Sequence, residues 1–273
     1  MAEPIAIRPD VLAGIRARWP ELADPWSTTV LGEMHDLCER YDAEPVAVLP
    51  ARFGLVVKAI TQDGPVVLRS SPDPHGRHQG AVSTALAQLG VSPRIHEFTA
   101  TEHGTWTVMD MIEPGIPLGD REALPEPEHV AAMLAPLIGQ PAPAPDLPNL
   151  VDWLRDRLTD DHLQDLAPGR QVAPADERRT ALAILDELAA DHVPGLCHAD
   201  ASPWNILTGK DERLYLIDPR GITGEVAYDA AIIALKAATR IPVEATARGL
   251  DSMLGIDSDR VLSWVLVAVA ARV

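Results

Sequence analysis

Five short runs rich in β-branched and other apolar residues constrain the fold of this chain more than any other feature. They are Val46–Leu49, Leu55–Ile60, Val66–Arg69, Arg94–Phe98 and Trp106–Ile112. Asp63-Gly64, between the second and third runs, is typical of a β-hairpin, and a turn containing Gly104 separates the last two. Helical composition from Gln79 to Leu89 interrupts the series once. The region therefore predicts a five-stranded antiparallel sheet with one helix.

Helical patterns lie on both sides of this predicted sheet. Before it, Val11, Ile15 and Trp19 are spaced to share one helix face, and a second helical stretch ends near Arg40. After residue 118 the pattern is mainly helical, apart from a proline-rich loop and the apolar strand Leu214–Ile217. We therefore expect an α+β, bilobal chain. Its N-terminal lobe spans residues 1–113, with a helical extension over 1–40, and its helical C-terminal lobe spans residues 114–273.

Composition excludes several classes of partner. The 273 residues include 40 acidic and 23 basic side chains, a formal net charge of −17. Such a surface repels nucleic-acid phosphates and anionic lipids, so we expect no nucleic acid and no membrane, and any charged partner to be a cation. The longest apolar run, residues 261–271, is shorter than the ~20 residues that a transmembrane helix needs. Two distant cysteines and the absence of a secretory signal predict a cytoplasmic protein, and we expect a monomer or homodimer.

The segment from His198 to Asn205 has the order H-x-D-x-x-x-x-N, and Asp218 ends the apolar strand thirteen residues further on. Phosphoryl transfer needs one carboxylate that accepts or orients the proton of the attacking hydroxyl, and a carboxylate and an amide oxygen that hold Mg²⁺. Asp200 fits the first role, and Asn205 and Asp218 fit the second. An Asp–Asn pair alone is usually a turn or cap device. The ordered combination, downstream of a five-stranded lobe, favours the catalytic interpretation.

Residues 198–207, together with 216–231, resemble the aminoglycoside phosphotransferase family, whose fold is similar to that of protein kinases. The stretch from Ile217 to Asp229 is similar to the branch of streptomycin 6-phosphotransferases and hydroxyurea phosphotransferases, which carry an aspartate-proline-lysine-glycine turn and a G-x-x-x-Y-D stretch there. The resemblance extends over most of the chain from about Val46. It implies a kinase-like fold, with ATP or GTP and Mg²⁺ as cofactors and a small molecule as acceptor.

The resemblance also implies roles for the matching residues of the catalytic loop. Asp200 is the catalytic base, His198 supports the loop, and Asn205 and Asp218 bind Mg²⁺. Asp229 hydrogen-bonds backbone near the loop. The adenine is received by the backbone of a hinge whose central residues are Asp110, Met111 and Ile112.

Two features depart from the family pattern. Arg69 stands where the family has a nucleotide-anchoring lysine, and the position of its glutamate partner falls near Gln79. An always-ionised guanidinium contacts phosphates without a carboxylate to orient it, but the same pair is also consistent with a weakened or inactive kinase. The phosphate loop over residues 49–54 has a single glycine, and we expect Arg52 to compensate with its charge. Lys58 is a further candidate cation.

Acceptor recognition is predicted from charge and stacking. The resemblance implies a cationic acceptor such as streptomycin, which requires carboxylates from the helical lobe. The candidates are Asp152, Asp156, Asp160 and Asp161, among which we select Asp156. Trp204 is expected to stack on a guanidinium or a sugar. Arg220 either neutralises phosphate charge or fixes Glu225, which is itself a candidate substrate-binding residue.

The sequence is compatible with three functional hypotheses. The first is an ATP- and Mg²⁺-dependent O-phosphotransferase that confers resistance to a small cationic antibiotic. The second keeps the reaction but changes the acceptor to hydroxyurea, a sugar or an amino sugar. The third is a nucleotide-binding pseudokinase, motivated by Arg69, Gln79 and the glycine-poor loop.

Overall fold

A computed structural model describes residues 5–163, 165–166 and 169–273 of the chain, except for the side chain of Asp211. The chain divides into two compact units. The first comprises the residues up to Gly80 together with Pro93–Met111, and the second comprises Ala81–Ser92 with Ile112–Val273. The lobe boundaries expected from the sequence stay a prediction, and residues 81–92 belong to the second of the two units.

The first unit contains the predicted five-stranded antiparallel sheet. Its helices and strands are α1 (Pro9–Arg18), α2 (Pro20–Arg40), β1 (Glu44–Val48), β2 (Leu55–Thr61), β3 (Gly64–Ser71), β4 (Ile95–Ala100), β5 (Thr105–Asp110) and the first turn of α3 (Gly76–Gln88). The strand order is β1-β2-β3-β5-β4. The predicted hairpin is present: Thr61 pairs with Gly64, and Gly64 adopts a φ of 128° that favours glycine.

The core of the first unit forms between α2 and the sheet. Trp26, Val30 and Met34 recur every four residues along α2, so they share one buried face of that helix. They pack with buried strand residues that alternate along β2 and β3, among them Val57 and Leu68. The N-terminal helices are therefore part of the core of this unit.

The second unit is mainly helical. Its helices are the rest of α3, α4 (Pro127–Leu134), α5 (Leu150–Thr159), α6 (Ala175–Ala190), α7 (Val226–Ala237), α8 (Val243–Leu254) and α9 (Ser258–Ala270). Its strands are β6 (Pro114–Pro117), β7 (Gly195–Leu196), β8 (Ile206–Gly209), β9 (Leu214–Leu216) and β10 (Thr223–Gly224). The expected α+β fold class, with a five-stranded sheet and a mainly helical second half, is confirmed. No helix in the described ranges is both long and apolar enough to cross a membrane.

Two small sheets of the second unit position the catalytic loop. Strand β8 begins directly after Asn205 and pairs with β9, which ends two residues before Asp218. In this register Ile206 lies opposite Leu216. Strand β7 precedes His198 and pairs with β10, just before α7. The two ends of the loop are therefore attached to the segments that carry Asp218 and the start of α7.

Candidate active site

The beginning of the catalytic loop is attached to α7 through one buried carboxylate. Asp229, in the first turn of α7, accepts hydrogen bonds from the backbone N–H of His198 (2.9 Å) and of Ala199 (2.7 Å). Ala199 adopts a φ of 61°, a conformation that non-glycine residues rarely keep without support. Burial raises the pKa of Asp229 to about 7, while the two backbone hydrogen bonds oppose the shift. This geometry agrees with the predicted backbone-binding role of Asp229.

His198 is held in one neutral form. Its Nδ1 accepts a hydrogen bond from the backbone N–H of Asp200 (3.2 Å), so Nε2 carries the proton and donates to the carbonyl of Ile217 (2.8 Å). Burial lowers the pKa of His198. A buried ring with both nitrogens engaged in backbone contacts joins the loop to the strand before Asp218, which fits the predicted supporting role.

The loop brings Asp200, Asn205 and Asp218 together. The side-chain Nδ2 of Asn205 donates to the carbonyl of Asp200 (2.9 Å), and the carbonyl of Asn205 accepts from the backbone N–H of Ile217 (2.9 Å). The residue after Ile217 is Asp218, which follows β9 with a φ of 58°. Because Nδ2 of Asn205 already donates a hydrogen bond to the loop, the side-chain oxygen is the atom of this amide that can bind a metal ion.

This donor set fits Mg²⁺. One amide oxygen and one carboxylate are hard oxygen ligands, and in phosphoryl transfer Mg²⁺ takes its remaining ligands from phosphates and water. Over the described residues, no group of three or more His, Cys, Asp and Glu side chains is arranged to hold a metal. Asn205 and Asp218 suit a metal that arrives with a phosphate ligand, because phosphate and water oxygens complete the ligand set of Mg²⁺.

Arg220 contacts the predicted catalytic carboxylate. Its Nη2 lies 3.2 Å from Oδ2 of Asp200, and its Nε donates to the carbonyl of Ala199 (3.4 Å). Its guanidinium carbon lies 4.4 Å from the centroid of the Trp153 ring, within the range of a cation–π interaction. Trp153 was not among the predicted site residues. It lies in α5, within the region predicted to be mainly helical, but a helical pattern alone does not say which neighbour a helix face contacts.

Glu225 is bound by side chains other than Arg220. Arg260 donates to both of its oxygens (2.6 and 2.9 Å), Trp264 Nε1 donates to Oε1, and His192 Nδ1 lies 3.2 Å from Oε2. The interpretation that Arg220 fixes Glu225 is therefore wrong, because Arg220 pairs with Asp200 and Arg260 takes that place. These contacts also disfavour the predicted substrate-binding role of Glu225, since both oxygens already have donors.

Glu225 makes stability depend on pH. Burial raises its pKa, but hydrogen bonds from His192, Arg260 and Trp264 outweigh burial and lower the pKa to about 2. A group whose pKa is lower in the folded state stabilises the fold above its unfolded pKa, near 4.5, and loses this contribution as pH falls towards 2.

We therefore expect Glu225→Gln to lower the free energy of unfolding at pH 7 by about 2 kcal/mol, a figure reduced for solvent screening. The difference in the free energy of unfolding between this variant and the unmodified protein should become smaller below pH 4.5. Urea unfolding at pH 7, 4.5 and 3.5 measures it. A difference that stays constant over this range would show that the ionised carboxylate is not what stabilises the fold.

The other predicted acceptor residues are not brought together. Trp204 is 59 % exposed, and a methyl group at Gly119 would lie 2.7 Å from its ring, so the indole covers that glycine. Asp156 is exposed on α5, one turn after Trp153. Asp161 pairs with Arg178 instead. The described contacts therefore do not assemble an acidic acceptor pocket from these side chains.

The predicted nucleotide residues of the first unit have partners of their own. Arg69 on β3 donates from Nη1 to Oε1 of Gln79 (3.3 Å), so the two positions that depart from the family pattern do meet. Asp110 pairs with His96 (2.6 Å), and the N–H of Met111 donates to the carbonyl of Pro65 (3.1 Å). These contacts order the end of β5, where the hinge is predicted to begin. Ile112, its third residue, belongs to the second unit.

The predicted phosphate loop has one position that only glycine fits. A Cβ at Gly54 would lie 2.3 Å from the carbonyl oxygen of Ser70, so the loop lies directly against β3 there. The exposed Arg52 has its guanidinium carbon 4.9 Å from the centroid of the Phe53 ring. The phosphate-binding role of Arg52 stays a prediction.

Comparisons with known proteins bear on the family and the fold of the chain. The sequence profile of the family described as "APH: Phosphotransferase enzyme family" matches residues 54–262. No curated protein matches the chain in sequence.

Three similar solved structures show the same fold. An aminoglycoside-3'-phosphotransferase of type VIII is 20% identical, with 86% of this chain and 96% of that chain covered and a TM-score of 0.58. An aminoglycoside phosphotransferase from Streptomyces rimosus is 19% identical (89% and 98% covered, TM-score 0.59).

The third is a choline/ethanolamine kinase family protein from Mesorhizobium loti, which is 16% identical (88% and 83% covered, TM-score 0.64). At these identities the likeness concerns the fold, and it confirms the kinase-like fold class expected from the sequence. The similarity to the streptomycin and hydroxyurea branch stays a prediction.

Proposed function

Because the chain belongs to the APH phosphotransferase enzyme family, we propose that it transfers the γ-phosphate of ATP to a hydroxyl group of a small molecule. The observation that carries this proposal is the arrangement around Asn205. Its side chain donates to the carbonyl of Asp200, and its carbonyl accepts from the residue before Asp218. Three residues of the types that phosphoryl transfer needs are thus joined by short backbone links.

In this proposal Asp200 orients the acceptor hydroxyl and accepts its proton as the oxygen attacks the γ-phosphorus. The new P–O bond forms on the acceptor while the bond from that phosphorus to the β-phosphate oxygen breaks, so ADP leaves. Asn205 and Asp218 would hold Mg²⁺, which offsets charge on the phosphate oxygens when bound. His198 and Asp229 keep the loop in place, and Arg220 holds Asp200 from one side (3.2 Å).

For the nucleotide, we propose that Arg69 takes the phosphate-binding role of the family lysine. The neutral amide of Gln79, at 3.3 Å, orients its guanidinium, and an arginine guanidinium can contact phosphate oxygens in a bidentate way. The hinge residues Asp110, Met111 and Ile112 are the proposed adenine contacts through their backbone, and Arg52 is a proposed phosphate contact. ATP is the proposed donor, and GTP is the alternative.

The acceptor proposed from the sequence is a small cationic antibiotic of the streptomycin type, whose modification would confer resistance. The net charge of −17 supports it, because the field of the protein attracts cations. The exposed carboxylate of Asp156 and the exposed ring of Trp204 are the residues left to bind it. Hydroxyurea, sugars and amino sugars are the second class of acceptor. A cytoplasmic monomer or homodimer remains the proposed setting.

A panel assay tests the proposed function. The purified chain is incubated with ATP and Mg²⁺, and with streptomycin, other aminoglycosides, hydroxyurea or simple sugars, while ADP release is followed. We expect release that depends on one acceptor and stops when EDTA removes Mg²⁺. Nucleotide binding without ADP release, across this panel and a wider set of alcohols, would identify a pseudokinase and contradict the proposal.

A further inference from the structure

A cavity of about 290 Å³ lies beside the catalytic loop, entirely within the second unit. Its lining includes Ala201, Pro203 and Trp204 of the loop, together with residues of α7 and α8. Most of the lining side chains are aliphatic, such as those of Ile233 and Leu250. The size lies at the lower end of the range for sites that bind small molecules.

The charge of this cavity is the reverse of what a cationic acceptor requires. Lys236 and Arg240 line it, whereas no Asp or Glu belongs to its described lining. Nζ of Lys236 donates to the carbonyl of Val273 (2.8 Å), which leaves two further donor positions on the ammonium group. Burial lowers the pKa of Lys236, and the charge of Asp200 opposes this shift, so the cavity lysine lies within the field of the catalytic carboxylate.

One polar group of the wall lacks a partner. The hydroxyl oxygen of Thr246 on α8 is buried and has no hydrogen-bond partner among the described residues. Buried hydroxyl groups are nearly always hydrogen-bonded, because an unpaired one costs free energy. Thr246 lines the cavity, but its hydroxyl oxygen has almost no exposed surface, so a bound molecule would reach this hydroxyl only after the side chain rotates.

We propose that this cavity is the acceptor site, and that the acceptor is a hydroxyl-bearing molecule with an apolar body, no positive charge and a neutral or acidic polar group that meets Lys236. The inference rests on the proposed function, since the acceptor hydroxyl must reach Asp200, the neighbour of the cavity residue Ala201. It is the alternative to the cationic acceptor proposed above, because an apolar lining with Lys236 and Arg240 disfavours a polycation.

Gly249 provides a direct test of this site. It lies in the interior of α8 and lines the cavity, and a Cβ atom there would meet nothing within 4 Å apart from adjacent backbone of its own helix. Gly249→Leu therefore adds a side chain into the cavity, and leucine favours the helix more than glycine does. Gly32→Leu is the matched control, since Gly32 lies within α2 of the first unit with equally open space around its Cβ.

The experiment measures binding of three probes by calorimetry, without ATP: 8-hydroxyoctanoate, 1-octanol and 8-aminooctan-1-ol. We expect the acid and the alcohol to bind the unmodified chain, and the amine to bind at least about 10-fold more weakly. Gly249→Leu should weaken binding of the first two at least about 10-fold, and Gly32→Leu less than about 2-fold. Equal binding of the amine, unchanged binding to Gly249→Leu, or no binding of the acid and the alcohol would each overturn the inference.

The test separates this inference from the proposed function. If the probes bind as expected but no acceptor receives phosphate from ATP, the proposed function is contradicted, whereas the apolar site that disfavours cations is still supported. If phosphate passes to a polycationic aminoglycoside with the same KM in Gly249→Leu and in the unmodified chain, the phosphotransferase stands and the acceptor inference is overturned.

Discussion

Replacing Asp200 with asparagine is expected to lower kcat for phosphate transfer by about 10³-fold and to leave the fold intact. Asparagine keeps the shape of the side chain but cannot accept the proton of the attacking hydroxyl at neutral pH. The side chain of Asp200 is 34 % exposed, and its ion pair with Arg220 is its one described side-chain contact. Arg220 keeps its contact with Trp153 in the variant, so little stability is lost.

The measurement compares ADP release and thermal unfolding of Asp200→Asn with those of the unmodified chain. Asp186→Asn is the matched control: it removes the same charge from an exposed carboxylate on α6 that also pairs with an arginine, Arg155. We expect this control to keep its turnover and to unfold within a few degrees of the unmodified chain. If Asp200→Asn turned over nearly as fast as the control, the result would contradict the proposed role of Asp200.

Replacing Asp229 with alanine is expected to have the largest effect on stability. The buried carboxylate accepts the N–H groups of His198 and Ala199, and alanine would leave both donors buried and unpaired. Each unpaired group costs about 1–3 kcal/mol, so we expect the free energy of unfolding to fall by about 3–5 kcal/mol. Activity should fall with it, because Ala199 would lose the support for its left-handed conformation.

Urea unfolding followed by circular dichroism measures this loss. Asp176→Ala is the control, because Asp176 also lies in the first turn of a helix, α6, but is exposed. Its only expected loss is the favourable interaction with the helix dipole, about 0.3–1 kcal/mol. Equal losses for the two variants would show that the contacts of Asp229 with the loop do not stabilise the fold.

The sheet of the first unit was predictable because its strands carry strong local signals. Runs of β-branched residues and a glycine-containing hairpin mark β2 and β3, and the four-residue spacing of apolar residues marks α2. The small strands of the second unit carry no such signal. β7 and β10 have two residues each, and β6 includes two prolines, so pairing with distant residues decides their conformation.

The catalytic loop was predictable in its residue types but not in its contacts. The order of His198, Asp200 and Asn205 indicated the chemistry, whereas the left-handed conformation of Ala199 and the stacking of Arg220 on Trp153 depend on tertiary packing. The acidic residues of α5 and of the two positions after it suggested an acidic pocket, yet helix spacing does not say which element a helix face contacts. Lys236, one of two charged residues in the otherwise apolar α7, was the available signal for the cavity.

The most direct test of the proposed function identifies where the phosphate goes. ³¹P NMR follows ATP, ADP and phosphate esters in one sample that contains the protein, Mg²⁺ and the acceptor active in the panel. We predict a phosphate monoester of the acceptor in equal amount to ADP, and none with Asp200→Asn. Inorganic phosphate in place of the ester, or an equal yield of ester with Asp200→Asn, would contradict transfer to a hydroxyl directed by Asp200.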